Sequence, residues 1–253
     1  MNKKKIIIIA GIVVLLGCFE VLYFYLRKVK TDKNSSQSVE ISMSSSYSSS
    51  QSQGSFSYQS SGTAGMSIIT LTNPENHNLV RDAFLGFIMN PSSDLRWAEF
   101  RDSNNGSVSL DRFSSAMGIK IDEHLSGLLK SDSYNVFSCK TTSGIRNIGI
   151  EINIKLLSGY KGDLYQDEVQ FLRNWEVTML PDLKSVLFPN VDFSQKYLEQ
   201  ELIFKDGKYR YANVELPNNI ESSINYDIAG DSILISNSLE CLEKASNAVL
   251  TSD

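Results

Sequence analysis

Apolar spacing divides the chain into three stretches. Residues 6–26, IIIIAGIVVLLGCFEVLYFYL, are apolar almost without interruption. About 21 residues at about 1.5 Å of rise each match a hydrocarbon core of about 30 Å, so a transmembrane signal-anchor helix is expected after a short basic N-terminus at 1–5. Across residues 27–65 no hydrophobic period can be extracted, and about half of residues 35–61 are serine. That segment reads as a disordered Ser-rich linker. Periodicity then returns, and residues 66–253 read as one domain, long enough to bury a single core.

Within the domain both helical and strand periods occur. Leu79, Ala83 and Phe87 recur at helical spacing with Val80, Phe84 and Ile88, behind an Asn73-Pro74 start signal. Asn105-Gly106 is expected to turn a hairpin between AEFRD and SVSL. Helices are expected around Asp111–Met117, ended by Gly118, and around Asp122–Lys130. YNVFSCKTT and IRNIGIEINIKLL then form a strand pair at the centre of an antiparallel sheet, with Ile148, Ile150, Ile152, Ile154 and Leu156 alternating onto one face. From Asp163 a long helix follows, kinked or split at Pro181, with Leu164, Val169, Leu172, Trp175, Val177, Met179 and Leu180 toward the sheet. Further hairpins are expected at Asp206-Gly207 and at Ala229-Gly230-Asp231, and a last helix is capped by Ser238. The fold class is α+β: an antiparallel sheet with helices packed on one side, and a weak hairpin-plus-helix pseudo-repeat around 134–188 and 199–251.

Two details qualify the anchor. LLGC matches the pattern at which lipoprotein precursors are cut, which makes Cys18 a lipidation candidate. The chain stays apolar for eight residues after Cys18, where a cleaved lipoprotein turns polar, so the uncleaved span is the preferred reading. Glu20 reads as a carboxyl tolerated near the helix end, and Tyr23, Phe24 and Tyr25 ahead of Arg27 and Lys28 mark an interface. Basic residues flank the run on both sides and do not choose an orientation. The short N-terminus and serine tract favour a domain outside the cytoplasm.

Charge narrows the partners. The chain holds 24 Lys+Arg and 29 Asp+Glu; residues 1–65 contain seven and three of these, which leaves 17 against 26, a net charge of −9, for the remainder. A surface that acidic repels phosphate backbones, so no nucleic acid is expected among the partners. The scattered Tyr47, Phe56 and Tyr58 read as incidental to the linker. Cys139 and Cys241 either pair, if the domain faces an oxidising space, or sit as two small buried hydrophobes.

GIEINIKL, NWEVTMLPDL, YRYANVELP and INYDIAGDSILISNSLECLEKA resemble segments of uncharacterised single-pass, membrane-anchored bacterial proteins. The resemblance covers roughly the last 120 residues. It implies an extracytoplasmic anchored domain and supplies no catalytic residue.

No motif carries chemistry of its own. His77 and His124 have no second His or Cys at metal-ligand spacing, and no metal or cofactor is expected. Around Asp102 the spacing is wrong for a calcium loop: Gly106 stands fifth rather than sixth, and no glutamate closes the twelfth position. Gly230-Asp231-Ser232 is similar to an esterase nucleophile block, but no histidine follows it. Asp167 and Glu168 are adjacent on a helix and point apart. The expected function is a membrane-anchored, non-enzymatic domain that binds an envelope protein. Alternatives are a subunit of a membrane secretion or conjugation machine, and an envelope hydrolase whose carboxylate site is assembled from distant residues.

Overall fold

Among the described residues, period-two alternation builds one eight-stranded sheet. The computed structural model describes residues 54–60, 65–89, 94–142, 146–155, 164–217 and 220–251. The strands are β1 (Phe56–Ser60), β2 (Met66–Leu71), β3 (Leu95–Asp102), β4 (Leu129–Lys140), β5 (Arg146–Ile154), β6 (Arg210–Leu216), β7 (Ile220–Ala229) and β8 (Ser232–Ser236), in the order β1-β2-β3-β4-β5-β8-β7-β6. All neighbours are antiparallel except β2 and β3, which are joined by a crossover through helix α1 (His77–Met89). A parallel pair needs such a crossover because a tight turn cannot return the chain to the same end. The expected span at 6–26, Cys18 and the linker as far as residue 53 lie outside the described residues. Among those described, no helix is long and apolar enough to cross a membrane.

The isoleucine alternation of β5 sets the layers. Ile148, Ile150, Ile152 and Ile154 face a core shared with α1, α2 (Leu110–Met117), α4 (Leu164–Trp175) and α5 (Met179–Leu187). Phe84, Phe113, Leu172, Trp175 and Leu183 are buried there, each contributing about 1.5–3 kcal/mol. The opposite sheet face is covered by α7 (Leu239–Leu250), whose Cys241, Leu242 and Ala245 pack on Phe137, Cys139 and Leu234. Gly149 permits this second core. A Cβ there would overlap the Phe137 ring, which lies across the strand 4.9 Å from the Trp97 ring.

Helices therefore cover both faces, not one as the sequence suggested. The hairpin-plus-helix order does recur, as β4–β5 followed by α4 and α5 and as β7–β8 followed by α7, but not as a symmetric repeat. β5 and β8 are antiparallel neighbours, so a rotation exchanging β4–β5 with β7–β8 would run perpendicular to the sheet and keep both helical layers on one face. Helices α4 and α5 lie opposite α7, and no rotation relates the two halves.

Several boundaries differ for local reasons. Helix α1 starts three residues later than Asn73: Asn76 Oδ1 accepts from the backbone N–H of Asn78 and Leu79, while Asn73 Oδ1 takes the N–H of Glu75 in a separate turn. The Asn105-Gly106 turn exists, with Asn105 at φ 66°, but its second arm is one bridge, Arg101 to Ser107, before Ser109 caps α2. Gly118 ends α2 in the left-handed conformation, as expected. Helix α3 (Glu123–Ser126) is a single turn rather than Asp122–Lys130, because Gly127 breaks it and Leu129 already pairs with Ile154. The long helix does split, but at residues 176–178; Pro181 lies in the first turn of α5, where its missing N–H costs nothing. Val177 falls in that break and is 86% exposed, not sheet-facing.

At Asp206-Gly207 the expected hairpin reduces to a bridge between Lys205 and Tyr211, preceded by a one-turn α6 (Gln195–Leu198). Gly230, at φ 61°, turns β7 into β8 as expected, and Ser238 Oγ accepts from Cys241 N–H at the start of α7. Phe56 and Tyr58, read as the end of the linker, belong to edge strand β1.

Candidate functional site

The second sheet face carries a polar cluster at its centre. Glu151, on β5, is 8% exposed, and its carboxyl oxygens accept from Asn135 Nδ2 at 2.7 Å and Ser232 Oγ at 3.0 Å. Ser232 Oγ also lies 2.6 Å from Asn153 Oδ1, and Asn153 Nδ2 lies 2.5 Å from Ser133 Oγ. One hydroxyl proton serves one acceptor. Turning the Asn153 amide over resolves the conflict: Nδ2 then donates to Ser232 Oγ, Ser232 donates to Glu151, and Ser133 donates to Asn153 Oδ1. The cluster ties β4, β5 and β8 in one register, since a slip of one residue would bury these groups among isoleucines. Ser232, at 2% exposure with its hydroxyl on a carboxyl, is not placed as an accessible nucleophile.

A second cluster closes the first face. Glu176, just past α4, accepts from Arg210 Nε and Nη2 at 2.5 and 2.9 Å and from the Tyr226 hydroxyl at 2.6 Å. The Glu176 hydrogen bonds raise the pKa of Arg210 further above its ordinary value. Burial, then the Glu176 bond, raises that of Tyr226. This clasp fastens the α4–α5 break to the two outer strands.

The other sequence candidates form no cluster among the described residues. His77 is exposed at the start of α1, and the side chains of His124, Asp167 and Glu168 lie outside the described residues. Asp102 Oδ1 accepts from the backbone N–H of Asn104 and Gly106, so its carboxylate organises the turn. Among the described residues no group of three or more His, Cys, Asp or Glu could hold a metal. Cys139 and Cys241 are joined as a disulfide, with Cα atoms 5.7 Å apart and a sequence separation of 102. Both are fully buried, and the bond fastens α7 to β4.

The two sheet edges differ, and here the structure offers a surface. On β6, the outward backbone of Tyr211 exchanges both hydrogen bonds with Lys205. Outward Glu215 donates its N–H to Gln200 Oε1 at 2.9 Å and accepts from Gln200 Nε2 at 3.1 Å. A side-chain amide thus stands in for a neighbouring peptide and blocks the edge. On β1 the backbone N–H of Thr72 donates to Ser55 O, which fixes Ser55, Ser57 and Gln59 as the residues bonding inward to β2. The N–H and C=O groups of Phe56, Tyr58 and Ser60 point outward, and nothing among the described residues covers them.

Composition hid this edge. The signal that could have found it is the alternation of Phe56 and Tyr58 inside the serine tract. No protein-family model, curated protein or solved structure matches the chain.

Proposed function

We propose that this chain is a single-pass membrane-anchored protein whose acidic α+β domain stands outside the cytoplasm and acts by binding protein, without catalysis of its own. The open β1 edge carries this reading. It offers three outward backbone residues to an extended strand, the chemistry of β-augmentation, while the opposite edge is blocked. The Cys139–Cys241 bond supports placement in an oxidising space.

The test is a photo-crosslinking residue at exposed Ser57 in whole cells, with the same residue at exposed Lys120 as control. A discrete adduct from position 57 and none from 120 is expected. Equal, diffuse labelling from both positions would overturn the reading.

A further inference from the structure

We infer that the occupant of the β1 edge is a second copy of this chain, paired antiparallel so that Tyr58 lies opposite the partner's Tyr58. The inference rests on the reading of that edge as the binding surface and names what fills it.

The hydrogen-bonding phase comes first. Phe56, Tyr58 and Ser60 present their backbone groups outward, and these positions are symmetric about Tyr58. In an antiparallel pair the two residue numbers sum to a constant. A two-fold axis at Tyr58 therefore sets Phe56 against the partner's Ser60, and every outward N–H meets an outward carbonyl. Self-complementarity of this kind is what an isologous contact requires.

Side chains agree with that pairing. Residues 56–60, FSYQS, carry no charge, so the contact brings no like charges together although residues beyond 65 carry a net −9. Helix α1 runs along β1: the Tyr58 hydroxyl donates to Ala83 O at 2.7 Å, and a Cβ on Gly86 would meet Tyr58 and Phe56. Met89 follows Gly86 by three residues on the same side of α1 and is 68% exposed, and Tyr58 is 37% exposed. Tyr58 thus stands partly exposed on the open edge, and the pairing covers it. Copies held in one membrane would meet at raised effective concentration, which suits a contact of few hydrogen bonds.

The register supplies the test. With Tyr58 on the axis, Ser57 faces the partner's Gln59 as a non-hydrogen-bonded pair, where Cα atoms approach to about 4.5 Å. Full-length Ser57→Cys and Gln59→Cys chains, each in a Cys18→Ala background, are expressed together in membranes and oxidised. The expected result is a disulfide-linked dimer at least about tenfold more abundant than from either chain alone. Ser60→Pro removes only an outward N–H, since β1 bonds to β2 through odd-numbered residues, and should abolish the dimer while leaving the melting temperature unchanged. Equal linking by each chain alone, no linking in the mixture, or a dimer that survives Ser60→Pro would overturn the inference. An adduct at position 57 that contains a different protein would retain the edge as a binding surface and remove self-pairing.

Discussion

Reduction of the Cys139–Cys241 bond should cost this domain a large share of its stability. The bond spans 102 positions, and the chain-entropy relation gives about 4.7 kcal/mol for a loop of that length. Total stabilities of single domains are about 5–15 kcal/mol. For a domain of about 200 residues each kcal/mol shifts the melting temperature by about 2–4 °C, so the reduced form should melt on the order of 10 °C or more below the oxidised one. Reduction keeps both sulfur atoms in the core beside Phe137 and Leu242 and isolates the cross-link from packing. The assay is thermal unfolding of protein refolded with and without reductant. A Cys139→Ala/Cys241→Ala variant serves as a second reference, and should fall further because it also leaves cavities. A difference of under about 2 °C between oxidised and reduced protein would refute the reasoning.

Three further outcomes follow from the packing. Glu176→Ala removes the Tyr226 hydroxyl's acceptor and leaves the Arg210 guanidinium only its exposed ion pair with Asp206 at 2.7 Å; with the pair partly exposed the loss should be about 2 kcal/mol, below the about 3–5 kcal/mol of fully buried pairs. In a urea double-mutant cycle, Arg210→Ala added to it should cost little more, and simple additivity would contradict the clasp. Gly149→Ala would set a Cβ 2.5 Å from Ile235 O and into the Phe137 ring, so a loss of about 3 kcal/mol is expected by urea titration, and a loss under about 1 kcal/mol would contradict the packing.

Burial raises the pKa of Tyr134 and Tyr226, with Glu176 adding to the latter, and also that of the more exposed Tyr58. Below pH about 10 folded and unfolded tyrosines are equally protonated; above it the unfolded chain loses protons that the folded one keeps. Stability should then fall by about 1.4 kcal/mol per pH unit for each of Tyr134 and Tyr226, with a smaller share from Tyr58, which is 37% exposed. Tyr226→Phe should lower the slope by about a third to a half in urea midpoints measured between about pH 10 and pH 11, and an unchanged slope would contradict the assignment.

What the sequence made legible follows from local physics. Ile148 to Ile154 announced a central strand because a period of two survives any tertiary context that buries one face. Gly118, Ser238 and Gly230 announced their ends and turn, since capping and left-handed geometry are decided within a few residues. The sidedness of α7 was not legible. Its apolar stripe requires a sheet face but does not say which, and Phe137, Cys139 and Leu234 supply one as readily as the isoleucines do.

Long-range polar pairing was equally hidden. Glu151 and Ser232 lie 81 positions apart, and Gln200 reaches Glu215 through side-chain geometry that no motif encodes. Strand β1 was lost because serine-rich composition outweighed the two aromatic residues that alternate within it.

The measurement that tests the central claim most directly is protease shaving of intact cells followed by mass analysis of what is released. The account predicts a fragment of about 20 kDa from the 28.3 kDa chain, cut ahead of β1 and retaining Phe56 and the Cys139–Cys241 bond. Protection of the whole chain until the membrane is opened, with Cys139 and Cys241 then found as free thiols, would place the domain in the cytoplasm and contradict it.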